Sequence, residues 1–473
     1  QMTSRSFQCK PPSWKRVGPD WYGISMQDIP AFREEQFMPP VDGLRSWIFF
    51  YYEERNPPEG KKFWQRFGKK KFEETKEKTK SASLVKTRAA EIVAGAATPE
   101  EKVARLVNYC RTKVKNIRHP LSKVSAADLG DWKPILKPSE TLERGMGTPM
   151  DVQYLLIALA QEAGFDARLA WLVGRDAFFF EVQFPNDYFV NRANVAIKVE
   201  NEWKFFDVAQ PFLEPGMLSW PEEGVAAVIP DPKELVVVTT PISPPSRNTF
   251  RKVAHLSLDE EGTLKGTVDE AQSGYSAVSE KMRLARMTEE ERRQAVEEDL
   301  KERYPSATVS GLEVLNADDV DQLLTYRYTI SVPNYAERTG KRLFVLPSFF
   351  RRGQPALFTS SKREFPIYFY HGWLETDHVE IALPEGYELD SPDAPSSFQI
   401  GETGEYAVKM RLVKTGKDRI LIYDRKLEMG REGKLLYPQE AYPALKKVFE
   451  TVRQGDDHAI VLKQQAATSA GAI

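Results

Sequence analysis

The chain has 473 residues, 41% hydrophobic and 28% charged, with a formal net charge of −2. That length predicts about three domains, and the near-neutral charge leaves no basic footprint for nucleic acid. Two cysteines, Cys9 and Cys110, exclude a disulfide scaffold, and no run approaches the ~18 apolar residues of a membrane span.

Residues 1–52 read as extended. "DIPAFREEQFMPP" is broken by prolines, and "RSWIFFYY" has the length and composition of a buried strand. The stretch is too short for a β-domain of its own, which predicts the tail of something larger. Gln1 is no initiator methionine and no signal peptide follows it, as expected of a processed or excised chain. From Lys61 to Lys115 the pattern is helical, with one break at "GAATPEEK", where Thr98 and Pro99 open the next helix. Lysines alternate with glutamates in "GKKKFEETKEKTK", which predicts a solvated helix face. Val103, Leu106, Val107, Cys110, Val114 and Ile117 recur at helical spacing, so Cys110 should face a core.

After an irregular segment to Lys137 comes "GMGTPMDVQYLLIALAQEAG". Here Thr148 is the predicted N-cap, Pro149 the first helical residue, Asp151 the third, and Gly164 the stop. Strands follow in "ARLAWLV", "AFFFEVQF", "NVAIKV" and "EWKFFDV". Helices and then antiparallel strands predict an α+β domain over 53–235. Three consecutive aromatics, Phe178, Phe179 and Phe180, cannot all face one core. With Tyr188 and Trp220 they are candidates for lining a partner groove, the alternative being that most are core residues.

"PDPKELVVVTTPISPPSRNTF" predicts a proline-rich linker over 236–249. The next unit, 250–362, has a hairpin in "AHLSLDEEGTLKGTV", a strand in "LLTYRYTISV" and a charged helix from Tyr275 to Arg303. Thr288 and Glu291 form a capping box where that helix breaks and restarts. "LNADDVDQ" lacks the glycine and terminal glutamate of a calcium loop and reads as a turn. The last unit, 363–473, alternates with period two in "HVEIALPEGYEL" and "EYAVKMRLVKTGKDRILIYDRKLEM". It then has a helix near Pro438–Arg453 and a tail predicted to be disordered. His371, His378 and Asp377 have no ligand spacing, so neither metal nor cofactor is expected.

The stretch from about 99 to 218 resembles the transglutaminase-like fold, of the papain-like cysteine-protease type. The amphipathic helix, then "GMGTPMDVQYLLIALAQEAGFDARLAWLVG", then a hairpin closing on "FFDVAQPF" carry the resemblance. The whole chain is similar to a group of bacterial, mostly exported transglutaminase-like proteins. These have a β-rich domain of unknown function in front and β-domains behind. "DIPAFREEQFMPP" resembles the end of the front domain, and "FPIYFYHGWLETDHVEIALPEGYEL" the C-terminal one. The resemblance implies an α+β multidomain chain, in which a transglutaminase-like domain precedes two mainly β domains, and a periplasmic or extracellular location.

Enzymes of this fold use a Cys–His–Asp triad whose cysteine opens a helix in a Gly-Asp-Cys-x-Asp pattern. Matching Asp151 and "YLLIAL" to it puts Pro149 at the nucleophile position, Asn194 at the histidine and Asp207 at the aspartate. Independently, a two-residue turn at Glu200 and Asn201 would pair Val199 with Glu202, Ala196 with Phe205, and Asn194 with Asp207. Proline has no nucleophilic atom and an asparagine amide no basic lone pair, which leaves Asp207 no base to orient. All five histidines lie outside 120–254. Thr148 has a hydroxyl but reads as a cap. The expectation is a catalytically inactive protein that binds a peptide or protein, or scaffolds, in the cell envelope. Thr148 and Asp151 join the five aromatics as binding candidates. The alternatives are an acyltransferase or peptidase with a displaced nucleophile, and an architectural subunit of a larger envelope assembly.

Overall fold

The computed structural model describes residues 2–11, 13–52, 60–135, 137–178, 183–390, 395–416 and 418–465. Two units divide the chain: Gln1–Ile242 with Arg363–Tyr370 and Leu436–Gln439, and Ser243–Lys362 with His371–Leu435 and Glu440–Ile473.

In the first unit, β1 (Met2–Phe7) pairs antiparallel with β2 (Trp47–Tyr52), the strand expected in "RSWIFFYY". That strand is not buried as expected: Phe50 is 45% and Tyr52 87% exposed. It has a single partner strand and covers only one of its faces. Phe7, Phe178, Phe184 and Phe189 fill that side, with Trp47, Phe49 and Tyr51 packed against them.

The periodic stretch that follows forms α1 (Gly60–Lys78), α2 (Ser83–Val93) and α3 (Pro99–Lys113). It breaks twice rather than once, the extra break falling in "TKSA" at 79–82, where the Ser81 hydroxyl bonds Glu162 instead of continuing a helix. Thr98 caps α3, accepting the Glu101 N–H at 3.1 Å. Helix α4 (Pro149–Glu162) is buried from Val152 to Ala160 except at Tyr154, and the left-handed Gly164 (φ +92°) stops it.

The five-stranded sheet has the order β7-β6-β3-β4-β5, made of β3 (Asp166–Leu172), β4 (Arg192–Val199), β5 (Glu202–Phe206), β6 (Ala226–Ile229) and β7 (Val236–Thr239). Positive φ at both Glu200 (+49°) and Asn201 (+72°) makes the β4–β5 turn a hairpin turn of the favoured hand. The register follows, with Val199 opposite Glu202 and Ala196 opposite Phe205. One sheet face, with Leu169, Val195 and Ile197, packs with α4, α3 and α2. The other, with Ala170, Leu172, Ala196 and Phe205, packs on Leu218 and Val225. The strand expected in "AFFFEVQF" is absent at its described ends: Ala177, Phe178, Gln183 and Phe184 lie in turns and coil.

In the second unit the elements are β8 (Thr249–Leu258), β9 (Leu264–Gln272), α5 (Gly274–Leu284), α6 (Glu289–Arg303), β10 (Thr308–Leu315) and β11 (Leu324–Val332). They continue as β12 (Glu337–Thr339), β13 (Arg342–Val345), β14 (Trp373–Ala382), β15 (Tyr387–Leu389), β16 (Phe398–Ile400), β17 (Gly404–Thr415), β18 (Asp418–Met429), α7 (Tyr442–Asp456) and β19 (Ile460–Gln464). The main sheet has eight strands, β10-β11-β9-β8-β14-β18-β17-β16, and a smaller one runs β12-β13-β19-β15. Thr288 caps α6 through the expected box, the Glu291 carboxylate accepting the Thr288 N–H at 2.8 Å. In "LNADDVDQ" the cation is a lysine: buried Lys281 donates to the carbonyls of Asp319 and Gln322 at 2.7 and 2.6 Å.

The boundary expected between 250–362 and 363–473 needs correction. Strand β8 runs parallel to β14 from Thr249↔Leu374 to Ser257↔Ala382, so both segments share one sheet. Residues 363–370 and 436–439 go with the first unit. Within the expected linker 236–249, Val236–Thr239 forms β7 on β6. Period-two alternation shows that a strand has a buried face, not which distant strand pairs with it.

Under the main sheet, Arg425 clamps Asp456 of α7 with two bonds of 2.6 and 2.9 Å, and Arg351 bonds Asp377 at 2.8 Å. Asp456→Ala would leave Arg425 buried without its main counter-charge. We expect it to lower unfolding stability by about 3–5 kcal/mol, measured by urea denaturation of the full chain.

Candidate functional site

The start of α4 is fixed by its own side chains. Asp151 accepts the Thr148 N–H at 2.8 Å and the Thr148 hydroxyl at 2.6 Å, while the Asp151 N–H donates to Thr148 Oγ1 at 3.3 Å. Pro149 stands at the first helical position, where its missing N–H would be unpaired anyway. The approach is close enough that a Cβ on Gly147 would lie 2.7 Å from Asp151 Cβ. Two hydrogen bonds hold this turn at the sheet end: Ile117 N–H to Gly147 O, 2.9 Å, and Gln153 Nε2 to Ala193 O, 3.0 Å. Asn116, paired with Gly147, donates to Ala209 O at 2.8 Å, beyond β5.

Of the three positions matched to a triad, two share a sheet face. Val195↔Phe206 is the last pair of the β4–β5 ladder, and Asn194 and Asp207 lie one step beyond it. By alternation both belong with Ala196 and Phe205, on the face away from α4. Pro149 opens the helix packed on the opposite face, which the Gln153 side chain ties to β4 at Ala193 O. Among the described residues, no side-chain bond joins it to Asn194 or Asp207.

Around Asn194 lies a buried polar cluster. The Asn194 side chain is fully buried and neither of its amide atoms makes a hydrogen bond. Asp207 accepts the Ala209 N–H and the Ser219 hydroxyl, both at 3.1 Å, yet burial raises its pKa. Glu222, 6% exposed, stands 4.0 Å from Arg192. Burial, then the Asp207 charge, push the Glu222 carboxyl up to about 8. The Asn194 amide is near enough to favour the charged form, though no well-formed bond joins them. Arg192 itself pairs with Asp176 at 2.6 Å. Arg192, Asp176 and Glu222 were not expected from the sequence. Arg192 shares the Asn194 face two residues earlier, which alternation could have flagged. Glu222 sits on a short turn, Trp220–Glu222, that no local pattern ties to β4.

The remaining candidates divide. Thr148 and Asp151, the binding candidates at the helix start, are bonded to each other as the expected cap. Phe178 is a core residue, stacked on Phe189 at 4.7 Å, and does not line a groove. Phe179 and Phe180 lie outside the described residues. Tyr188 is 67% exposed and touches Phe49, and Trp220 lies 4.8 Å from Tyr370. Cys110 is fully buried, and burial pushes its thiol pKa up. His119 accepts the Leu121 N–H at 3.2 Å and bonds Gln210 at 3.1 Å; burial lowers its pKa to about 4, so it is neutral with both ring nitrogens engaged. Among the described residues, no three His, Cys, Asp or Glu side chains are arranged to hold a metal.

Chemically, the cluster stores a proton. Folded Glu222 keeps its proton up to about pH 8, against an ordinary value of 4.5. The folded state therefore binds more protons between those values, and stability falls as pH rises through them. Glu222→Gln should match the parent near pH 5 and exceed it near pH 9 by several kcal/mol, as read from denaturation midpoints.

Residues 86–208 match the Transglutaminase-like superfamily, and residues 341–462 match DUF3858, a domain of unknown function with a solved structure. The second match runs across the 362/363 boundary, as the shared sheet does. No curated protein matches the chain. Among solved structures the chain is similar to a candidate protease from Parabacteroides distasonis, at 12% identity and a TM-score of 0.51, over 98% of this chain and 70% of that one. At that identity the likeness is one of fold. Residues 86–208 thus form a transglutaminase-like domain, and residues 341–462 a DUF3858 domain behind it.

Proposed function

We propose that the transglutaminase-like domain holds a peptide or protein partner without acyl transfer, as a scaffolding module of the cell envelope. The observation that carries this reading is the start of α4. At the position that the sequence resemblance matches to the cysteine stands Pro149, with the neighbouring Thr148 hydroxyl bound to Asp151. The matched histidine position, Asn194, has no basic atom, and His119 has both ring nitrogens engaged. Loss of a nucleophile or its base costs on the order of 10⁶ in turnover. Placement outside the cytoplasm rests on the mostly exported group that the sequence resembles, and cell fractionation checks it.

A second reading, a hydrolase with a displaced site, draws on Glu222, a buried carboxyl that holds a proton near neutral pH. The two readings separate on covalent chemistry. We expect iodoacetamide to label Cys9 and spare Cys110 in the folded chain, and an activated acyl ester to leave no adduct on Thr148 or Cys110. Peptide mapping by mass spectrometry checks both. An acyl adduct at either residue, abolished by Glu222→Gln, would establish the hydrolase instead.

A further inference from the structure

Within the first unit lies a pocket of about 540 Å³ lined by Phe37, Arg175, Asp176, Trp220, Tyr368 and Tyr370, among others. Its size falls in the range of small-molecule sites. Arg175 is only 4% exposed. Its Nε donates to Trp220 O and its Nη2 to Tyr370 O, both at 2.8 Å, and its Nη1 bonds the Tyr368 hydroxyl. The guanidinium also lies over the Trp220 and Tyr368 rings, 5.6 and 5.5 Å from their centres.

Every one of these partners is neutral. Among the described residues Arg175 has no carboxylate within ion-pair reach, unlike buried Arg351 and Arg425, which face Asp377 and Asp456. The acids that line the pocket near it are already used. Asp176 pairs with Arg192 at 2.6 Å, and Glu35 lies 3.4 Å from Arg363 and accepts the Glu364 and Phe365 N–H groups. Glu34 is exposed, and water screens it. A buried cation with no counter-charge costs several kcal/mol. Of the five guanidinium N–H groups, three are bound and two remain. Beside them the Trp220 and Tyr370 rings stand 4.8 Å apart at 35°, offering an aromatic wall.

We infer that this pocket binds an organic carboxylate, its charge on the remaining N–H groups of Arg175 and its apolar body against Trp220 and Tyr370. Planar, two-pronged donation suits a carboxylate better than a single point charge would. The group is either the free end of a peptide chain or a small free acid. The inference is independent of whether the domain performs acyl transfer.

The experiment compares N-acetyl-phenylalanine with N-acetyl-phenylalaninamide on the full chain, by calorimetry and by Trp fluorescence. The two share a body and differ in the charge. The acid should bind at least tenfold more tightly than the amide, and Arg175→Gln should abolish that preference. Tyr370→Ala, at a side chain 45% exposed, should keep the fold and weaken both ligands at least fivefold. A tetrapeptide ending in phenylalanine with a free carboxylate that binds as tightly as the single residue assigns the site to chain ends; its exclusion assigns it to small acids. Equal binding of acid and amide, no binding of either to folded protein, or binding unchanged in Tyr370→Ala would overturn the inference.

Discussion

Burial of the helix Pro149–Glu162 from Val152 to Ala160, Tyr154 apart, constrains the first unit more than any other interaction. Leu155, Leu156, Ile157 and Leu159 are wholly inaccessible, each contributing about 1.5–3 kcal/mol on transfer from water. The first N–H groups of a helix have no partners along the helix itself and must be satisfied by side chains or water. Thr148 and Asp151 do this reciprocally, and Pro149 removes one donor from the need. The same demand fixes the glycine before the cap, because the Asp151 side chain occupies the space a Cβ would take. Helix initiation and the position matched to a nucleophile therefore compete for the same few residues.

On the other side of the sheet the chemistry is of charge and proton. Asp207 and Glu222 are two buried carboxyls with one nearby guanidinium, Arg192, already held by Asp176. Two like charges in that setting cannot both ionise cheaply, so one keeps its proton. Asn194 sits among them with an amide that makes no hydrogen bond, in a fold where buried polar groups are normally paired. The second unit handles buried charge differently. Arg351, Asp377, Arg425 and Asp456 neutralise one another under the main sheet and tie helix Tyr442–Asp456 to it. Against that background Arg175 stands out, a buried guanidinium given only neutral partners.

Much of the fold was legible from local pattern. Thr98 with Pro99, Thr148 with Asp151, and Thr288 with Glu291 announce helix starts, because a cap involves residues within three positions of each other. The register of the hairpin at Glu200 and Asn201 was equally readable, since a two-residue turn admits one pairing. The strand expected at Phe178 and Phe184 misled, because composition alone cannot distinguish strand residues from coil residues that anchor an aromatic core.

By itself the sequence determined most helix starts and their caps, the register of one hairpin and the superfamily resemblance, all of which arise from neighbours along the chain. Tertiary structure alone decided that Thr249–Leu258 pairs in parallel with Trp373–Ala382, merging two expected domains into one sheet. It decided too that Asn194 and Asp207 turn away from the helix that Pro149 opens, and that Glu222 joins them. Strand partners, sheet faces and the burial of a charge depend on which distant segments meet, and desolvation acts only once they have met.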